Sequence, residues 1–175
     1  MTVFFDVETQ NTLEEVGGQF PERLRISVAV TYDTADSRFH RYTEAEAPQL
    51  ALDLSRADLV VGYNLYGFDY LVLQQYTQEV ELPQLPTLDM MVELQKLLGF
   101  RLKLDAIAAA TLKTSKSADG LQAVRWWREN RIEELFDYCQ QDVEVTRRVY
   151  EFGRQQRYVQ YYDRRYKVQK VPVAW

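Results

Sequence analysis

The first apolar run, Thr2-Val3-Phe4-Phe5-Asp6-Val7-Glu8-Thr9, is nearly continuous and β-rich, the pattern of a strand buried on both faces. A polar stretch from Gln10 to Pro21 follows, carrying Gly17-Gly18. Two alternating segments come next, Leu24 to Tyr32 and Ser37 to Tyr42, joined by the turn-like Asp33-Thr34-Ala35-Asp36. They predict a hairpin. Pro48 to Arg56 has helical spacing and opens on a proline, a favoured first helical residue. Ala57 to Tyr63 reads as a second buried strand, and Phe68, Leu71, Val72 and Tyr76 mark a helix after it. Leu82-Pro83-Gln84-Leu85-Pro86-Thr87 breaks that helix and leaves room for a short edge strand. Beyond it the spacing predicts helices over Asp89–Leu98, Leu104–Leu112, Gly120–Arg128 and Arg131 to about Phe152. No internal repeat or low-complexity tract interrupts this order.

At 175 residues, 46% of them apolar, the chain has the size and composition of one globular domain. The apolar runs are too short to span a bilayer, and the start lacks the basic and long apolar stretches of a signal peptide, so the expected setting is cytoplasmic, without membrane contact. Cys139 is the only cysteine and His40 the only histidine. An internal disulfide and a cysteine-based zinc site are thereby excluded, and a serine hydrolase triad is disfavoured. The net charge of −5 is uneven: residues 153–175 hold six cations (Arg154, Arg157, Arg164, Arg165, Lys167, Lys170) against Asp163, or +5, which leaves −10 for residues 1–152. The expected division is therefore a domain over 1–152 and a basic, aromatic tail over 153–175. That tail is expected to be an amphipathic helix packed on the same domain or a junction, with a path for a nucleic-acid strand as the competing reading.

Carboxylates change the picture most. Asp6 and Glu8 lie two apart on the first strand, so both leave the same face, where desolvation and mutual repulsion disfavour them unless a cation or a proton intervenes. Asp69 falls in the first turn of a helix, after Asn64-Leu65-Tyr66-Gly67-Phe68, where an acid also complements the helix dipole. Tyr138 and Asp142, four apart, share one edge of the long helix beside the stripe formed by Ile132, Leu135, Phe136, Cys139, Val143 and Val149.

Asp-x-Glu-Thr on a first strand, Asn-x-x-x-Phe-Asp after a later strand and Tyr-x-x-x-Asp on a final helix together resemble the tyrosine branch of the DEDD 3′-to-5′ exonucleases, in the ribonuclease H-like superfamily. The stretches Lys116-Ser117-Ala118-Asp119-Gly120 and Asn130-Arg131-Ile132-Glu133-Glu134-Leu135, followed by Tyr138-Cys139, look closest to exonuclease domains of family B DNA polymerases. The histidine branch has its histidine one residue before the tyrosine, where this chain has Asp137. The resemblance covers about residues 2–150 and implies an α/β ribonuclease H-like fold. Its central mixed sheet has about five strands, the first three antiparallel, flanked by helices and followed by a helical C-terminal half.

For the site, the resemblance implies two divalent cations, Mg2+ or Mn2+, to which an oxygen-only ligand set is suited. Asp6 would bridge both, Glu8 and Asp142 would hold the ion that carries the attacking water, and Asp69 would support the second. Tyr138 would orient the water with Glu8 rather than act as a base, since a tyrosine ordinarily titrates near 10. Thr9, Asn64, Phe68 and Lys116 are the candidate substrate contacts, Phe68 as a stacking surface and Lys116 toward a phosphate. The implied substrate is a single-stranded DNA or RNA 3′ end, with a helicase, polymerase or other repair protein as a conceivable associate. Two rival readings are a catalytically inactive nucleic-acid-binding or scaffold domain and a structure-specific endonuclease. Retention of all four acids speaks against the first.

Overall fold

The computed structural model describes residues 1–114 and 120–175. Its elements in chain order are β1 (Thr2–Thr9), β2 (Ile26–Asp33), β3 (Arg38–Thr43), α1 (Ala47–Ser55), β4 (Leu59–Gly62), α2 (Asp69–Gln74), β5 (Thr87–Asp89), α3 (Met90–Leu98), α4 (Leu104–Leu112), α5 (Gly120–Arg128), α6 (Ile132–Gln156), β6 (Tyr158–Tyr162) and β7 (Val168–Pro172). One sheet has five strands in the order β3-β2-β1-β4-β5; β6 and β7 form a separate pair. β1, β2 and β3 pair antiparallel, whereas β4 runs parallel to β1 and β5 parallel to β4. This is the ribonuclease H-like arrangement, with helices on both faces of a mixed sheet.

β1 is central because both its faces are apolar. Phe4 lies among Val28, Val30, Leu135, Cys139 and Val143, the core beneath α6, and its ring meets Tyr150 edge-on at 5.3 Å. Val3, Phe5 and Val7 lie in the opposite core with residues of α1 and α2, where Phe5 stacks on Tyr70 at 6.4 Å. Alternation along the strand therefore carries Asp6 and Glu8 onto the α6 face, just past Phe4. Pairing with β4 stops at Phe4–Val61, so Asp6, Val7 and Glu8 extend beyond the carboxyl ends of the parallel strands. In open sheets that position is where ligand clefts form.

The tail departs from expectation. Instead of a packed helix, residues after α6 form the antiparallel β6–β7 hairpin. α6 runs on to Gln156 and stops because Arg157 takes a left-handed conformation (φ 63°). Val159 and Val171 face inward into the α6 core, and the hydroxyl and backbone of Thr111 and Gln160 bond reciprocally (3.1 and 2.9 Å), fixing the hairpin to α4. No helix among the described residues is long and apolar enough to cross a membrane.

Candidate metal centre

Three carboxylates converge at the open end of β1. Asp6 and Glu8 come from the strand, and Asp142 comes from α6, which crosses the same face. One carboxylate oxygen from each of the three lies within 4.8 Å of the others. Arg41 of β3 helps to hold α6 in place: it meets Asp137 at 2.6 Å, Glu133 at 3.1 Å and Gln140 at 3.1 Å. Asp137 is thereby turned toward β3. Tyr138, next in sequence, hydrogen-bonds Asp142, and Trp126 of α5 packs edge-on against its ring at 5.8 Å.

Asp69 stands beside this triad. It begins α2, is 3% exposed, and its Oδ1 accepts the Val7 amide at 3.0 Å. That amide lies past the end of the β4 pairing, so the carboxylate replaces a missing strand partner. The N-terminal position on a helix and this bond favour the charged form, yet burial dominates.

The electrostatics follow from crowding acids in a poorly hydrated place. Burial, then the charges of Asp69, Glu8 and Asp142, push the Asp6 carboxyl well above its usual range. Glu8 is raised in the same way by burial, Asp142 and Asp69. Burial raises Asp69 to about 8 and Asp142 to about 6, the latter against the bond from Tyr138. The Tyr138 hydroxyl is raised by burial and by Asp142, Glu8 and Asp6, so it stays protonated at neutral pH. Four carboxyls held above their ordinary range are relieved by positive charge, and an all-oxygen donor set fits a hard divalent cation such as Mg2+ or Mn2+.

Asp6, Glu8, Asp69 and Asp142 line a cleft of about 720 Å³. Thr9, Asn64 and Phe68 line it, so three of the four candidate substrate contacts are gathered with the acids. Lys116 lies outside the described residues. Thr9 follows a β-bulge after Glu8, and its hydroxyl bonds the Asn11 carbonyl at 2.9 Å. Phe68 both walls the cleft and packs on the α2 core. Asn64 has a left-handed backbone (φ 72°), and its Oδ1 accepts from Arg101 at 3.0 Å. Gly67 permits this turn, because a Cβ there would stand 2.5 Å from that oxygen.

Sequence reasoning missed three residues around the cleft. Asp89, 2% exposed, caps α3 by accepting from Met91 and Val92, and also accepts the amides of Asn64 (2.8 Å) and Tyr66 (3.1 Å). An acid before a helix signals only the cap; the reach to the 64–66 loop has no local signature. The Cys139 thiol, read only as part of an apolar stripe, sits 3.6 Å from Asp6 Oδ2 and 3.5 Å from the Asp6 carbonyl. Lys103 adds a cation to the cleft wall. The neighbouring tryptophans Trp126 and Trp127 of α5 are both partly buried against the α6 core.

A cleft with clustered carboxylates at the end of a mixed, ribonuclease H-like sheet has the donor set to hold a divalent cation. A family model described as RNase_H superfamily matches residues 3–152, and the chain belongs to that superfamily. No curated protein shows significant similarity to it.

Proposed function

We propose that the chain is a metal-dependent 3′-to-5′ exonuclease of the tyrosine type, hydrolysing phosphodiester bonds at single-stranded DNA or RNA ends. The observation that carries this reading is Tyr138 bonded to Asp142 beside Asp6 and Glu8, because a binding module has no use for a buried phenol among repelling carboxylates. Asp137, where the histidine branch would carry its histidine, is engaged by Arg41 and leaves Tyr138 as the α6 side chain hydrogen-bonded to Asp142.

Asp6, Glu8 and Asp142, with Asp69 alongside, are the residues that would hold two divalent ions. When bound, such ions supply the charge that lowers the pKa of water and stabilises the oxygen leaving phosphorus. Tyr138, held protonated and donating to Asp142, offers its hydroxyl oxygen as an acceptor and so fixes the position of a water together with Glu8; it does not remove the proton. Phe68 offers a ring face to the terminal base, and Asn64, braced by Arg101 and Asp89, fixes the wall next to the terminal sugar.

Oligonucleotides labelled at the 5′ end, DNA and RNA in parallel, test this with Mg2+ or Mn2+. A ladder shortening from the 3′ end is expected for the wild type and absent in Asp6→Ala and Asp142→Ala. Internal cuts, or shortening that survives both substitutions, would overturn the assignment.

A further inference from the structure

An acidic domain cannot gather a polyanion by bulk charge, since residues 1–152 carry −10. The net positive charge lies instead in residues 153–175, and at the end of the β6–β7 hairpin Arg164, Arg165 and Lys167 are exposed and, among the described residues, pair with no carboxylate. Resting on the reading of the cleft as a 3′-end site, we propose that the hairpin tip and the facing 99–103 loop form a track that binds the single strand upstream of the end being cut.

Three features support the track. The first is shape: a second hollow of about 720 Å³ lies between Phe100, Arg101 and Leu102 on one side and the hairpin residues Tyr161 to Arg165 and Lys167 on the other. The second is continuity. Arg101 lines this hollow and bonds Asn64 of the cleft, Leu102 accepts the cleft residue Tyr63 through its carbonyl at 2.8 Å, and Lys103 lines the cleft itself. A strand leaving the carboxylates therefore meets the loop first and the hairpin next.

The third is surface chemistry that packing does not explain. The inward face of the hairpin, Val159 and Val171, already serves the core, whereas Phe100 (46% exposed), Tyr162 (43%) and Tyr166 (88%) turn aromatic faces to solvent. The tip is also preformed. Asp163 accepts the amides of Arg165 (2.8 Å) and Lys167 (2.9 Å) through Oδ1, and its carbonyl takes the Tyr166 amide, which holds Tyr166 at φ 57°. Exposed rings interleaved with unpaired cations suit a chain of bases and phosphates, the rings stacking and the cations tracking the backbone. An acidic protein partner would use the cations and leave the rings without a role.

The test compares wild type with the Arg164→Ala/Arg165→Ala/Tyr166→Ala variant by fluorescence anisotropy. The probes are oligonucleotides of about 4 and about 16 nucleotides, a range that brackets typical single-strand sites, as DNA and as RNA, with phosphorothioate 3′ linkages to slow hydrolysis. The wild type is expected to bind the longer probe at least about tenfold more tightly, and the variant to lose most of that gain. The slope of log affinity against log salt should fall by about 1 to 2, since each phosphate contact on a single strand contributes about 0.7. Arg164→Lys/Arg165→Lys, which keeps charge, should retain the slope and controls for folding. A variant with undiminished length gain and slope, or a wild type without any length gain, overturns the track. If the wild type shows the gain and the variant loses it, while unmodified oligonucleotides of the same sequences are never shortened by the wild type with Mg2+ or Mn2+, the track stands and the exonuclease assignment alone falls.

Discussion

Asp142→Asn should make the metal-free protein more stable while removing its activity. The carboxyl is held at about 6 instead of its ordinary 3.8, chiefly by burial, so its ionised form is disfavoured in the folded state. At about 1.4 kcal/mol per unit, ionisation of this one group above pH 6 costs the folded chain about 3 kcal/mol. Partial solvent access and the bond from Tyr138 reduce the recoverable part to about 2 kcal/mol, which for a domain of this size corresponds to a Tm about 4–8 °C higher. The sign follows from proton counting. Between pH 4 and 6 the folded protein keeps a proton that the unfolded chain gives up, so stability falls as pH rises through that window and this group removes no more above it. Melting curves in EDTA should therefore show the variant above wild type at pH 7.5, with the gap closing by about pH 4.5. Millimolar Mg2+ should reverse the order, because ligand binding stabilises only the form that can bind it. A variant that melts below wild type in EDTA at pH 7.5, or a gap of equal size at both pH values, would refute the reasoning.

Tyr138→Phe should lower kcat by about 10- to 100-fold with little change in KM, the size expected for one lost positioning hydrogen bond. Because the phenol is held above its ordinary value, the wild-type pH–rate profile should show no falling limb from tyrosine ionisation below pH 10. Asp89→Ala leaves four backbone amides without their acceptor and should cost about 3 kcal/mol in chemical denaturation, with faster hydrogen exchange at Asn64 and Tyr66. Gly153→Ala should expel the Trp175 indole, since a Cβ would stand 2.5 Å from its Nε1; the expected readout is red-shifted tryptophan emission and a lower Tm, although alanine is the better helix former by about 1 kcal/mol.

What could be read from the chain was whatever depends on short periods. Two residues apart on a strand and four apart on a helix are fixed geometries, so the Asp6–Glu8 and Tyr138–Asp142 pairs could be placed on common faces before any fold was known. The apolar stripe of α6 and the two-sided burial of β1 were legible for the same reason. The hairpin was not. Tyr158 to Tyr162 follows a helix with no glycine or proline to end it, and the terminating left-handed residue is Arg157, which carries no sequence signal for that conformation. Asp89 and Cys139 escaped notice because their partners are distant: Asp89 meets Asn64 across a long connection, and Cys139 meets Asp6 from the far end of the domain. Local pattern identifies such residues as a cap and a core filler, and only the packed tertiary structure reveals their second contacts.

The separation of 133 positions between Asp6 and Cys139 has a kinetic consequence. Closing so long a loop is among the costliest steps in forming the native contacts, so the cleft cannot assemble early from neighbouring segments. During synthesis β1 emerges first and α6 late. A nascent chain therefore exposes Asp6 and Glu8 well before Asp142 can join them, and whatever chemistry the carboxylates perform is withheld until the domain is almost entirely made.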